Sequence, residues 1–272
     1  MIFDFSNYDQ LLPLVTNSLI VGALLAVVGG LVGVFVINRD MSFAVHGISE
    51  LSFAGASITL LIGGDVVFGS VIGSLIASLI IGVMGAKAKE RNSITAVLMP
   101  FGLGLGIMAL SLYEGRASNK FGLLTGQIVA IDEPQLVSIS ILSVVVIATL
   151  LVIWRPLTFA SLDAEVASAR GVPTRTLSIL FMLLLGLSVA ASIQVVGALL
   201  VLSLLVTPAA AAVRVSSSPF VIPMLSVLFA GVSVVGGILL ALGSSLPVSP
   251  YVTSISFLIY LVCRGIEWVK NR

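Results

Sequence analysis

Two side chains in this sequence could bind a metal ion or move a proton, and they stand one helical turn apart in a strongly apolar segment. His46 is the single histidine of the chain, and Glu50 follows it in the stretch RDMSFAVHGISELSFAGA. A spacing of i and i+4 places both side chains on one face of an α-helix. A carboxylate oxygen together with a neutral imidazole nitrogen suits Mn²⁺, Fe²⁺ or Zn²⁺ and is too rich in nitrogen for Ca²⁺ or Mg²⁺.

The residues alone leave three interpretations of the pair open. His46 can donate a hydrogen bond to Glu50 or to a backbone carbonyl and so join two helices, the pair can relay protons, or it can form half of a metal site. Two ligands bind a metal weakly, which suits a translocation site, because an ion must leave it as readily as it arrives. A zinc-protease helix is disfavoured because it needs a second histidine.

The composition places the chain in a membrane. Of its 272 residues, 58% are hydrophobic and 9% are charged, and the mean hydropathy is +1.22, whereas soluble domains carry about 25% charged residues. Runs such as SILSVVVIATLLVIW are long and unbroken, unlike the alternating segments of about 10 residues in a membrane β-barrel. The sequence predicts an all-α integral membrane protein, a polytopic bundle of eight or nine transmembrane helices.

Nine apolar segments are predicted to span the bilayer. They lie near 13–37, 42–62, 66–86, 93–113, 135–154, 176–193, 195–213, 219–241 and 250–263. A further stretch at 121–131 is too short to cross and is predicted to be re-entrant or interfacial. Most lysines and arginines become cytoplasmic when the N-terminus is outside and the C-terminus inside, which is the predicted orientation.

Glu50 is the one acidic residue well inside a predicted span. Counted from Asp40 at the rim, His46 and Glu50 lie roughly 9 and 15 Å deep at 1.5 Å per residue. A carboxylate at that depth costs several kcal/mol, so such residues usually serve a function and face a partner or a watery cavity.

The other features limit the classes of function. The basic residues are scattered rather than gathered into a patch, which argues against nucleic acid as a partner. Cys263 is alone, which excludes an intrachain disulfide and a cysteine metal cluster. The longest polar connection is 155–175, so residues 1–272 are predicted to form a single transmembrane domain, and no permanently bound cofactor is expected.

Four stretches of the chain resemble the permease subunit of metal-ion ATP-binding cassette importers, the manganese, zinc and iron branch. They are VVGALLVLSLLVTPAAAAV, RDMSFAVHGISELSFAG, LTFASLDAEVASARGV and LLTGQIVA. In that family the second stretch usually reads Arg-Met-xxx-Gly-Asp-Ala-xx-His, with the aspartate and the histidine as metal contacts. Here His46 stands at the aspartate position and Glu50 at the histidine position, so both ligand types are present in exchanged order.

The resemblance implies a transport function rather than an enzymatic one. It implies a multi-pass permease in the cytoplasmic membrane of a prokaryote that imports Mn²⁺, Zn²⁺ or Fe²⁺ delivered by an extracytoplasmic metal-binding protein. It also implies a homodimer or pseudo-dimer, in which two copies of His46 and Glu50 supply four ligands. The alternatives are a permease for an iron chelate or a haem-type ligand and an ion-coupled secondary carrier.

The energy source must be a separate subunit. The chain has no G-x-x-x-x-G-K-[ST] phosphate-binding loop, so ATP is expected on a cytoplasmic partner. The resemblance implies that this partner docks on a short cytoplasmic coupling helix. A helix is predicted there because Asp163 comes early and Arg170 late in the loop, and Gly171 with Pro173 ends it. The predicted coupling residues are Ser161, Leu162, Asp163, Ala164, Glu165, Ala167 and Gly171.

Overall fold

A computed structural model describes residues 8, 12–85, 87–115, 122–123, 131–198, 201–244 and 247–270. After a 3₁₀ turn at Leu12–Val15, the helices are α1 (Thr16–Asn38), α2 (Ser42–Leu61), α3 (Val66–Met84), α4 (Ala88–Leu112), α5 (Glu133–Leu162), α6 (Ala164–Ala169), α7 (Thr174–Val196), α8 (Val201–Leu205), α9 (Thr207–Val215), α10 (Val221–Leu242) and α11 (Val248–Lys270). The all-α membrane fold is thereby confirmed. Most of the predicted re-entrant stretch 121–131 lies outside the described residues.

Eight helices in the described part of the chain are long and apolar enough to cross a membrane. The prediction that the seventh span, 195–213, forms a single long helix was wrong. Val196 is instead the last residue of α7, and a shorter apolar segment, Val201–Val215, is interrupted at Val206 into α8 and α9. Pro208 lies in the first turn of α9, where its missing N–H costs no helical hydrogen bond.

The interrupted segment nevertheless runs the length of the bundle beside α11. Ser249 donates a hydrogen bond to the carbonyl of Val196 at 3.0 Å, and Ser256 donates one to the carbonyl of Ser203 at 3.0 Å. Farther along, Arg214 forms an ion pair with Glu267 at 3.3 Å. α8 and α9 are therefore parallel to α11, and the described part of the chain passes along the bundle nine times.

The bundle has an outer end and an inner end. The outer end holds the start of α1, where Asn17 donates to the carbonyl of Ile131, and the end of α10, where Tyr8 donates to the carbonyl of Leu239. The inner end holds Arg39, after α1, and the last residue of α11, Lys270. The side of the membrane that each end faces stays a prediction, with the inner end expected to be cytoplasmic.

α2 lies in the core and packs mainly against α3 and α4, with further contacts to α7 and α8. Glycines let these helices approach closely, as the recurrent small residues in the sequence predict. A Cβ atom at Gly102 of α4, for example, would lie 2.9 Å from the carbonyl carbon of Glu50. The helix with the candidate ligands is therefore fixed in place by backbone contact from its neighbours.

The predicted short helix in the loop 158–171 forms as α6. The Asp163 carboxylate accepts hydrogen bonds from the backbone N–H groups of Glu165 and Val166, at 3.0 and 2.9 Å, and so caps the helix. Gly171 follows its end with φ of 81°, a left-handed conformation that favours glycine. Ser161 and Leu162, however, belong to the last turn of α5 rather than to the short helix.

Candidate metal site and its setting

His46 and Glu50 lie on one face of α2, as their spacing predicts. The His46 Nε2 atom is 3.8 Å from the Glu50 Oε1 atom. The Glu50 side chain is 3% exposed and that of His46 is 29% exposed. The pair thus runs from a buried carboxylate to an imidazole that reaches the surface of the single chain.

Each of the two side chains keeps an unused polar atom. His46 Nδ1 and Glu50 Oε2 are buried and have no hydrogen-bond partner among the described residues. Ser49, between them, donates its hydroxyl hydrogen bond to the His46 carbonyl at 2.7 Å and does not satisfy either atom. An unpaired buried polar atom is costly, so a site with two of them has bonding capacity left for a ligand.

The distance between the two side chains fits a shared divalent ion. With metal–ligand bonds of about 2.1 Å, an ion can bridge atoms 3.8 Å apart at an angle of about 130°. The described residues contain no cluster of three or more His, Cys, Asp or Glu side chains suited to a metal. The described part of one copy therefore brings together two side chains of the types that bind such an ion.

Ser57 is a polar residue on this face that the sequence analysis did not single out. It lies eleven residues after His46 and seven after Glu50, which returns it to within about 20° of the same direction at 100° per residue. Its side chain is fully buried, and its hydroxyl has no partner among the described residues. The helical spacing from His46 and Glu50 was the signal in the sequence that could have identified Ser57. Ser57 extends the polar face of α2 toward the outer end of the bundle.

The predicted coupling residues differ in exposure. Leu162 is 79% exposed, and Asp163, Ala164, Glu165 and Gly171 are also at the surface. Val166, which was not among the predicted residues, is 47% exposed. Ala167 is fully buried under α6, which packs on α5 and α7. Within the described chain, Ala167 therefore supports the short helix, and the exposed residues form its outer surface.

The fold and the site define a polytopic helical membrane protein with a buried polar pair in one central helix. Residues 11–265 match the family described as the ABC 3 transport family. The chain belongs to this family, because the match covers nearly its whole length.

Relatives in this family have names that state their transport systems. The manganese import system permease protein ScaB of Streptococcus gordonii is 31% identical, over 81% of this chain and 80% of that protein. The manganese transport system membrane protein MntC of Halalkalibacterium halodurans is 29% identical, over 85% of this chain and 80% of that protein. The high-affinity zinc uptake system membrane protein ZnuB of Haemophilus influenzae is 26% identical, over 82% and 86%.

Solved structures share the fold. PsaBC from Streptococcus pneumoniae, in complex with a Fab, superposes with a TM-score of 0.81 at 24% identity, over 91% of this chain and 89% of that chain. A transporter described as being of the metal-chelate type, in an inward-facing conformation, gives a TM-score of 0.72 at 19% identity, over 92% and 85%. At these identities the likeness shows the fold. The predicted class of multi-pass ABC permease is confirmed by the family match and by the named relatives.

Proposed function

We propose that this chain is the membrane permease of an ATP-driven importer and that Mn²⁺, Zn²⁺ or Fe²⁺ crosses the membrane past His46 and Glu50. The observation that supports this most strongly is a carboxylate, 3% exposed, held 3.8 Å from an imidazole inside a membrane-spanning helix. The manganese and zinc transport systems named for relatives in the same family favour a metal as the cargo.

The pathway is proposed to form between two copies of the chain. One copy offers two ligands, and a first-row divalent ion usually takes four or more. His46, with 29% of its side chain exposed, is the open end of the pair and can face the same residue of a second copy. A two-fold axis would then bring two imidazoles and two carboxylates together, because such an interface pairs identical surfaces.

The ATPase subunit is proposed to dock on the outer surface of α6 and the end of α5. Leu162 and Val166 are four residues apart and expose apolar side chains at the inner end of the bundle. The carboxylates of Asp163 and Glu165 flank them at the helix start. Small apolar contacts with a charged rim are typical of a specific protein interface. An extracytoplasmic metal-binding protein is proposed to deliver the ion at the opposite end.

The function can be tested with the purified chain reconstituted in vesicles with its ATPase subunit and metal-binding protein. We expect uptake of Mn²⁺, Zn²⁺ or Fe²⁺ that requires ATP on the ATPase side and stops when the ATPase subunit is left out. Uptake by the chain alone under a proton gradient would contradict the proposal and identify a secondary carrier. Uptake of an iron chelate but of no free ion would also contradict it.

Replacing Ala164 by arginine tests the docking surface. Ala164 is exposed at the start of α6, so the larger charged side chain fits within the chain but obstructs a partner. We expect less ATPase subunit to co-purify and metal uptake to fall by at least about tenfold, which corresponds to about 1.4 kcal/mol. The matched control is Ser217→Arg, at an exposed position in another connection at the inner end. If the ATPase subunit co-purifies equally with both variants, the docking contact does not include α6.

A further inference from the structure

A polar cavity lies at the inner end of the bundle, away from the metal pair. Its volume is about 390 Å³, and the ends of α1, α3 and α5 enclose it with the starts of α4, α6 and α7. Three arginines line it, Arg39, Arg91 and Arg175, together with the hydroxyl residues Ser161 and Ser178. No acidic side chain is among its described lining residues.

Arg91 is the most buried of the three arginines, with 7% of its surface exposed. One terminal nitrogen of its guanidinium donates to the carbonyls of Arg39 and Asp40, both at 3.0 Å, and so caps the end of α1. Its Nε atom is buried and has no partner among the described residues. This arginine therefore lines the cavity and has one donor that no described residue satisfies.

Among the described residues, Arg39 is also bonded only to neutral groups. Its guanidinium donates to the Ser161 hydroxyl at 3.3 Å and to the Ser178 hydroxyl, and it lies over the ring of Phe181 at 5.8 Å. Burial, followed by the positive charge of Arg91, lowers the pKa of Arg39. The two guanidinium groups thus raise the positive potential of the cavity together.

The positive charge of this cavity is only partly balanced within the described chain. The exposed carboxylate of Asp40 acts electrostatically on Arg91, but it forms no ion pair with an arginine of the cavity. The two ion pairs of the described residues join His46 to Glu50 and Arg214 to Glu267, so neither involves an arginine of the cavity. Partly buried cations that outnumber the nearby anions are costly, and an anion from outside the chain would lower that cost.

We propose that this cavity binds a phosphate group, supplied by an anionic lipid headgroup or by free phosphate. Guanidinium groups bind phosphate oxygens by paired, charge-assisted hydrogen bonds, and Arg175 adds a third, exposed cation at the entrance. The predicted cytoplasmic position favours such a ligand, because anionic lipids concentrate at the inner leaflet and basic pockets between helices bind their headgroups. Ala164 also lines the cavity, so a bound phosphate would contact the start of α6.

The test uses the full-length chain purified in detergent and stripped of lipid. Native mass spectrometry measures how much phosphatidylglycerol and how much phosphatidylcholine the chain retains, and a thermal-shift titration measures the effect of inorganic phosphate. We expect phosphatidylglycerol to be retained in preference to phosphatidylcholine, or inorganic phosphate to raise the melting temperature. The first result alone identifies a lipid headgroup, and the second identifies a site that also accepts free phosphate.

Two cavity variants and one control locate the binding. We expect Arg39→Gln and Arg175→Gln each to lower the affinity for the retained ligand by about tenfold, since a hydrogen bond to a charged group contributes roughly that much to binding. Arg170→Gln, at an exposed position outside the cavity, should bind as the unmodified chain does. If Arg39→Gln fails to fold, Arg175→Gln still decides, because Arg175 is exposed. Equal retention of both lipids with no effect of phosphate, or unchanged binding in Arg175→Gln, would overturn the proposal.

Discussion

Replacing Glu50 by glutamine is expected to reduce metal uptake at least about tenfold while the protein stays folded in the membrane. Glutamine keeps the shape of the side chain but removes the charge that binds a divalent cation, and changes to groups around a metal commonly cost 10- to 100-fold. Because the Glu50 side chain is 3% exposed, the neutral amide also removes the cost of a buried carboxylate, so thermal stability should stay equal or rise. ATP-dependent uptake and the melting temperature are measured on the same preparation.

The combination of lost uptake with retained stability separates a pathway residue from a structural one. If Glu50 mainly makes a structural contact with His46 within α2, the glutamine variant would retain uptake, because an amide can still accept the imidazole hydrogen bond. The matched control is Ser49→Ala, which removes a buried hydroxyl that bonds only within its own helix, to the carbonyl of His46. The control should transport normally, and normal transport by Glu50→Gln as well would rule out the metal pathway.

The sequence was sufficient to predict the helix that contains this pair and the face that the pair shares. Periodicity and hydropathy are local properties, and the i, i+4 spacing of His46 and Glu50 determines their relative direction once the helix forms. Asp163 as the cap of α6 and Gly171 after its end were likewise predictable, because both effects act within one or two turns. Their proposed contacts with metal and ATPase stay predictions.

Helix boundaries near proline were less predictable. The fifth span was expected to end at 154, just before Arg155 and Pro156, yet α5 continues to Leu162. Leu157 and Ala160 are buried in the main core, so packing in the bundle favours continuing the helix past the proline. The predicted seventh span, 195–213, differs in the other direction. It was expected to be one continuous helix, but the structure is interrupted at Val206.

The arginine cavity was not predictable from sequence order. Arg39, Arg91 and Arg175 are separated by 52 and 84 positions and look like ordinary cytoplasmic charges beside three different spans. Only the packing of the helix ends brings them around one cavity and leaves the Nε atom of Arg91 without a partner. Long-range contacts of this kind leave no periodic signal in a single sequence.

The second large effect is expected from Gly73 on α3, where the backbone of α3 lies close to that of α2. A Cβ atom at Gly73 would lie 2.2 Å from the backbone oxygen of Leu51 and 3.0 Å from its carbonyl carbon. Next to this contact, the Ser52 hydroxyl is 2.8 Å from that of Ser70 and also donates to the Ser70 carbonyl at 2.9 Å. Small residues and buried hydroxyl bonds of this type hold membrane helices together where no hydrophobic force acts between them.

Replacing Gly73 by valine should therefore prevent stable packing of α2 on α3. Backbone atoms cannot move aside as a flexible side chain can, so we expect a loss of about 3 kcal/mol or more, at the upper end of the cost of overpacking. Size-exclusion chromatography of the detergent-solubilised protein should show little or no folded peak. The matched control is Gly231→Val on α10, where a Cβ atom would meet nothing within 4 Å and the same helix-propensity change applies. If both variants elute as folded protein and melt at similar temperatures, α2 is not fixed by this contact, and the positions of His46 and Glu50 must depend mainly on α4.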